Sequence, residues 1–221
     1  MCTLTLLLIH TSCLEIDVDS ELMPQIPAIP DPAPDAPLVQ LRVGGERMDD
    51  ASWAKALTIS RFFFSSVENR SGSPRDLLAP GLREILRQGG YRTAPGFLPD
   101  DREAAAGENP ESESQSESLV LDVFAERNQL LWLPPREFIQ TPKARARGTV
   151  RVDVIIHTRL LRTHAASASQ EELWSAEFRE DEELRVLPGE EGPGLATGAR
   201  LAFQNYLRRL QIDLPPARSQ N

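Results

Sequence analysis

The clearest alternation in the chain runs over residues 149–161. Val150, Val152, Val154 and Ile156 fall on one side of an extended chain, and Thr149, Arg151, Asp153 and His157 on the other. This predicts a strand with one packed and one more polar face. Residues 173–183 repeat the pattern, with Trp174, Ala176 and Phe178 inward and Ser175, Glu177 and Arg179 outward. Residues 119–125 are apolar on both sides except for Asp122, which predicts a central strand. Asn128 and Gln129 then predict a turn into a short strand at 130–133, stopped by Pro134 and Pro135. Earlier in the chain, residues 38–43 and 57–64 predict two strands, ended by Gly44-Gly45 and by the polar stretch 65–72.

Two segments carry a helical period instead. Ser73 reads as an N-cap and Pro74 as the first helical residue, where its missing N–H costs nothing. Leu78, Leu82, Ile85 and Leu86 then line one face up to Gly89-Gly90. Pro80 falls inside this pattern and predicts a kink or a later start. Near the C-terminus, Leu195, Ala199, Ala202, Phe203, Tyr206, Leu207 and Leu210 form a second apolar stripe. Arg200, Gln204, Arg208 and Arg209 occupy its other face, and the last two suit the negative end of a helix dipole. Strand, helix, strand meander, helix predicts an α+β fold. The expected form is a two-layer sandwich whose mostly antiparallel sheet of about 4–5 strands carries two helices packed on one face.

Composition changes the picture at the N-terminal side. The 221 residues include 18 prolines. Ten residues after Cys13 a proline-rich run opens, from Met23 to Pro37, which cannot be helix or central strand. It predicts an extended spacer of about 40–50 Å. Residues 100–118 are acidic, serine-rich and without apolar period, which predicts a disordered loop. The expected organisation is therefore residues 1–13 as an export signal, 14–37 as a tether, 38–214 as the α+β domain and 215–221 as a tail.

The chain's only two cysteines, Cys2 and Cys13, lie at the very start. The folded part thus holds no disulfide, thiolate metal site or cysteine nucleophile. An apolar core from Leu4 to Ile9 is followed by Thr11, Ser12 and Cys13, and this arrangement resembles the lipobox of bacterial lipoproteins. The resemblance implies that Cys13 is the lipid-attachment residue. No Lys or Arg precedes Arg42, which is expected if the true start lies upstream. A buried strand at 4–9 and a plain cleaved signal are the competing readings. The apolar run falls well short of the about 20 residues a membrane-crossing helix needs.

The net charge of −9 argues against nucleic acid, which requires a basic surface. Catalytic groupings are thin. Asp153 and His157 share a strand face but lie about 13 Å apart along it, too far for a direct pair. Asp181, Glu182 and Glu183 read as a solvated charge run. Trp132, Trp174 and Tyr206 read as core rather than as a ligand cavity. No phosphate loop or nucleophile elbow is present. The expectation is no enzyme, no catalytic residues, no cofactor and no metal.

Residues 62–74, with Val67-Glu68-Asn69-Arg70-Ser71 at their centre, lead into Leu78, Leu82, Leu86 and Gly90-Tyr91. This pattern resembles Gram-negative envelope lipoproteins of the LPS-assembly (LptE) and YajG-like kind, in which a strand ends in a Phe-Glu-Asn turn and feeds a helix with a Gly-Tyr exit. The resemblance implies a non-enzymatic lipoprotein of the outer membrane, facing the periplasm and accessory to envelope assembly or transport, LPS assembly among the candidates. Its expected partners are the membrane, through the N-terminal lipid, and an envelope protein such as an outer-membrane barrel or a transport complex. A periplasmic small-molecule or lipid binder is the alternative.

Overall fold

The computed structural model describes residues 14–16, 31–49, 54–56, 67–69, 73–98, 118–133, 148–164, 169–187 and 190–217. In chain order these give β1 (Leu14–Ile16), β2 (Leu38–Gly45), β3 (Ala54–Ala56), β4 (Val67–Asn69), α1 (Pro74–Gln88) and β5 (Arg92–Thr93). The long strands β6 (Ser118–Leu133), β7 (Gly148–His164) and β8 (Ser169–Val186) follow, and α2 (Glu191–Asp213) comes last. The fold is α+β. Its main sheet runs β5-β2-β6-β7-β8, with β3 added beside β6, while β1 and β4 pair separately.

The sheet is mixed rather than mostly antiparallel. Strands β6, β7 and β8 form a long antiparallel meander, whereas β2 runs parallel to both β5 and β6, and β3 runs parallel to β6. The reason is connectivity: β2 returns through α1 before β5 and β6 are added, and a crossover of that kind gives parallel neighbours.

Residues 119–133 form one strand, not two joined by a turn. Register slips between Ala125 and Arg127, so Glu126 is the extra residue of a β-bulge. Before the bulge the buried inward positions include Leu121, Val123 and Ala125; after it they are Asn128, Leu130 and Trp132. One inserted residue reverses the phase of the alternation, and that phase break imitates a turn in the sequence. A second slip, beside Leu160 and Leu161, lets β8 begin earlier than the alternation predicts. Beyond it, Val150, Val152, Val154 and Ile156 of β7 are all buried on the expected face.

Helix α1 starts at Pro74 and runs on through Pro80, which is solvent-exposed. Its start is a capping box. Ser73 Oγ accepts from the Asp76 N–H at 3.2 Å, and Asp76 Oδ2 accepts from the Ser73 N–H at 3.3 Å. At the other end the Tyr91 N–H reaches back to the Leu86 carbonyl at 2.9 Å. Gly90 supplies the left-handed residue that this exit needs, at φ +82°. Leu78, Leu82, Ile85 and Leu86 are buried as the period predicts.

Helix α2 buries the whole stripe from Leu195 to Leu210. It runs on to Asp213, so its last turn has no basic residue; Arg208 and Arg209 lie too far back to serve the dipole. Its first turns sit hard against the sheet. A Cβ on Gly198 would fall 2.8 Å from Val152 Cγ2, and one on Gly194 would fall 2.6 Å from Val186 Cγ2. Further along, Tyr206 packs edge-on against Phe178 with ring centroids 5.1 Å apart. Its hydroxyl lies 3.0 Å from Thr158 Oγ1.

The ends of the expected domain are also redrawn. Pro215 accepts from the Tyr91 hydroxyl at 2.8 Å, and the Ala217 N–H donates to the Gly89 carbonyl at 2.9 Å. Residues 215–217 therefore dock against the end of α1 instead of beginning a free tail. Leu14–Ile16, at the head of the expected tether, pairs in parallel with Val67–Asn69. The strand expected at 57–64, residues 100–117 of the expected loop, and Cys13 with the segment before it lie outside the described residues, while Ser118, placed in that loop, opens β6.

Candidate functional site

The polar face of β7 is where sequence reasoning placed the only acid and histidine worth testing as a pair. The structure separates them. Asp153 is held by Arg127 at 2.9 Å. His157 Nε2 lies 2.8 Å from Glu126 Oε2, and its Nδ1 lies 3.8 Å from Glu177 Oε2. Glu126 is the bulge residue, so the slip in β6 is what delivers its carboxylate to His157. All three groups of this cluster are partly exposed. No serine, cysteine or second histidine is bonded to it among the described residues, and none of the described residues form a metal-binding cluster.

Ion pairs occupy the rest of this face. Arg159 Nη2 contacts the buried Asp122 carboxylate at 2.5 Å, and Arg151 lies 3.8 Å from Asp181. Arg179 pairs with Glu177, and that hydrogen bond holds the Glu177 carboxyl below the usual carboxylate range. The face is not wholly solvated: Val120, Asp122, Ile155 and Leu161 are buried on it.

Trp132, Trp174 and Tyr206 do not converge. Tyr206 is fully buried on the Thr158 hydroxyl, and burial pushes its phenol well above the ordinary range despite that bond. Trp132 is buried at the far end of β6, and Trp174 is partly covered opposite Leu160.

What sequence reasoning did not locate is the outer edge of β8. Among the described residues β8 pairs with β7 alone, and it runs for 18 residues. Its sequence carries seven carboxylates against Arg179 and Arg185. Glu177, Arg179, Asp181, Glu183 and Arg185 are exposed, while Glu180 and Glu182 take the same side as Phe178. A side chain of α2 crosses this edge. Arg209 of α2 donates to Glu180 Oε1 at 3.1 Å and to the main-chain carbonyl of Arg179 at 3.3 Å, with its guanidinium 5.6 Å from the Phe178 ring centroid. Asn205 adds a contact to Glu180 Oε2 at 3.4 Å. The signal was available in the sequence: the run Glu180–Glu183 interrupts a strand alternation, and inward charges of that kind mark managed edges.

No helix among the described residues is long and apolar enough to cross a membrane. No family model matches the chain, and no curated protein does. Among solved structures it is similar to the crystal structure of a Xanthomonas campestris protein assigned to the family model DUF330. The identity is 11% and the TM-score 0.50, over 95% of this chain and 97% of that one. It is also similar to a proposed neuraminyllactose-binding hemagglutinin homolog from Helicobacter pylori, with 9% identity and a TM-score of 0.45, over 90% of this chain and 96% of that one. At such identities the first likeness speaks for the fold alone: a chain of very different sequence carries this arrangement over nearly its whole length.

Proposed function

We propose that this chain is a non-enzymatic envelope protein, lipid-anchored at Cys13 and facing the periplasm, that serves outer-membrane assembly or transport through protein–protein contact. LPS assembly is one such role. The observation that carries the reading is the 18-residue outer edge of β8, which pairs with no other strand than β7 among the described residues, because a row of unpaired backbone groups is a natural docking surface for another chain. The polar face supports it as well, since Asp153 and His157 are each engaged by a separate partner, Arg127 and Glu126. The lipobox-like residues before Cys13 and the resemblance of the 62–91 pattern to envelope lipoproteins supply the compartment.

The finer architecture follows the same reading. We infer that both helices share one face of the sheet, leaving the other face and the β8 edge for partners. Contacts of Gly194, Gly198 and Tyr206 with β7 and β8 support this for α2, and α1 contributes Leu78, Leu82 and Leu86 to the same buried cluster.

A small-molecule binder has one observation in its favour. Asn128 Oδ1 and Trp132 Nε1 are buried on the inner face of β6 without hydrogen-bond partners, and a polar ligand would satisfy them. The close seating of α2 against Val150, Val152 and Val186 leaves no room for one beneath its first turns, so docking is the preferred reading.

Palmitate labelling of the wild type and of Cys13→Ala tests the anchor. Labelling lost in the variant is expected; equal labelling in both sinks it. Cross-linking of the full chain in native envelopes tests the partner, with one discrete envelope adduct as the expected result.

A further inference from the structure

We infer that the β8 edge receives a basic extended segment of a partner protein as an added strand, and that Arg209 guards the edge until the partner arrives. This rests on the docking reading above and names the chemistry of its partner.

The argument begins with backbone direction. In an antiparallel pair, alternate residues turn both N–H and C=O away from their neighbour. The Arg179 carbonyl is taken by the Arg209 guanidinium of α2, which places it on the outer edge. The ladder's alternation then places the N–H and C=O groups of Glu177, Asp181 and Glu183 there too. The same residues project their side chains onto the polar face, opposite His157, Asp153 and Arg151 of β7. An incoming strand therefore lays one side-chain row beside Glu177, Arg179, Asp181 and Glu183, where carboxylates outnumber the guanidinium. Its other row lies beside Ala176, Phe178, Glu180, Glu182 and Leu184. Lysines or arginines along the first row, and apolar residues with one Lys or Arg at Glu180 along the second, fit both rows.

Charge decides between occupants. A second copy paired through β8 would set seven carboxylates against seven, and like charges directly opposed across a strand pair are unfavourable. The chain tolerates one such clash already, since Asp153 stands directly opposite Asp181. A basic segment relieves that repulsion, and a neutral or acidic one does not.

Arg209 completes the device. It neutralises Glu180 and caps the Arg179 carbonyl on the edge, so it blocks casual pairing. A partner's own Lys or Arg can replace it at Glu180, whereas an uncharged strand leaves that carboxylate without a cation. The guard thereby selects for basic strands.

The test uses the full chain and a fluorescent synthetic peptide alternating Lys and Val, with one central Val replaced by Arg to meet Glu180, long enough to lie along residues 177–185. The peptide is expected to bind, to weaken as salt rises, and to lose at least about tenfold in affinity when Glu replaces Lys. N-methylation of alternate peptide residues should abolish binding, because it removes strand hydrogen bonds and keeps the charge. In the protein, Asp181→Pro removes an outward N–H without touching the β7 ladder, so it should lose binding while keeping its melting temperature. Arg209→Ala should tighten binding a few-fold.

No binding, or equal binding of the N-methylated peptide, overturns the inference. So does dimerisation that Asp181→Pro abolishes, which would assign the edge to a second copy. Should Asp181→Pro itself unfold, the N-methylated peptide still decides. The envelope cross-linking experiment separates the two levels. A partner captured equally by wild type and Asp181→Pro keeps the docking reading and removes the edge from it. Capture by neither removes the docking reading itself.

Discussion

At one end of the sheet β5 is two residues long, and the N–H groups of Arg92 and of Ala94 just beyond it donate to the carbonyls of Pro37 and Val39. The C-terminal residues 215–217 close over the neighbouring end of α1. At the other end β8 runs for 18 residues with its side chains alternately exposed, and charge dominates its second half. A sheet has two ways to make an edge safe: shorten and cover it, or charge it. The first leaves nothing for a partner to grip. The second leaves the backbone groups in place and makes entry conditional on charge, which is why function is assigned to β8 and structure to the β5 end.

The largest effect that would break this comparison lies at the covered end. Gly45 sits at φ +100°, and a Cβ there would overlap the Ala125 backbone of β6. Neither backbone can yield without opening the β2–β6 pairing. Gly45→Ala should cost on the order of 3 kcal/mol or more, read by urea unfolding. A loss below about 1 kcal/mol would mean that this end is as pliant as the other.

Much of the covered architecture was legible. The periods at 78–86, 149–161 and 195–210 each placed their apolar residues correctly, because long amphipathic elements carry many independent votes for one phase. The bulge at Glu126 was not legible as such, since one inserted residue and a turn produce the same break in alternation. The parallel placement of β2 was hidden for a different reason. Alternation says which face a residue takes and nothing about which strand lies beside it. The β8 edge fell between these cases: its charge run was visible, but whether it faced solvent at an edge depended on the strand order.

The chain's two tyrosines, Tyr91 and Tyr206, divide between the two ends and come next in size. Tyr91 donates to Pro215 at the covered end, and Tyr206 meets Thr158 beneath the β8 side. Each Tyr→Phe change should cost about 1–2 kcal/mol. Burial pushes the Tyr91 phenol up to about 12 and Tyr206 higher still. The folded values exceed the unfolded one, so the unfolded chain ionises first as pH rises. Their contribution to stability is complete below about pH 10 and is lost on going above it. Tyrosinate absorbance should therefore appear together with unfolding, not before it. An ionisation well separated from unfolding would show that one end is open to solvent.

Ser73→Ala removes the cap of α1 and should cost about 1 kcal/mol. Ser73 and Asp76 satisfy each other reciprocally, so Asp76→Ala should reproduce much of the same loss. The double variant should then cost less than the sum of the two. Additive losses would show that the two side chains act separately.

The smallest effect is the most telling, because its sign should reverse. Asp181 stands opposite Asp153 across the β7–β8 pair. Asp153 is already held by Arg127 at 2.9 Å, while Arg151 stands off from Asp181 at 3.8 Å. Both of the latter side chains are largely exposed, so their attraction is worth little. Repulsion from Asp153 acts at shorter range across the strands. Asp181→Asn should thus leave stability unchanged or raise it by up to about 0.5 kcal/mol, with the gain shrinking as salt is added. Substitution at the covered end can only destabilise, whereas this carboxylate is carried at no benefit to the fold. That is the expected signature of a residue kept for a partner. If Asp181→Asn instead costs more than about 1 kcal/mol, the β8 carboxylates are part of the scaffold, and the two ends of the sheet differ in form but not in purpose.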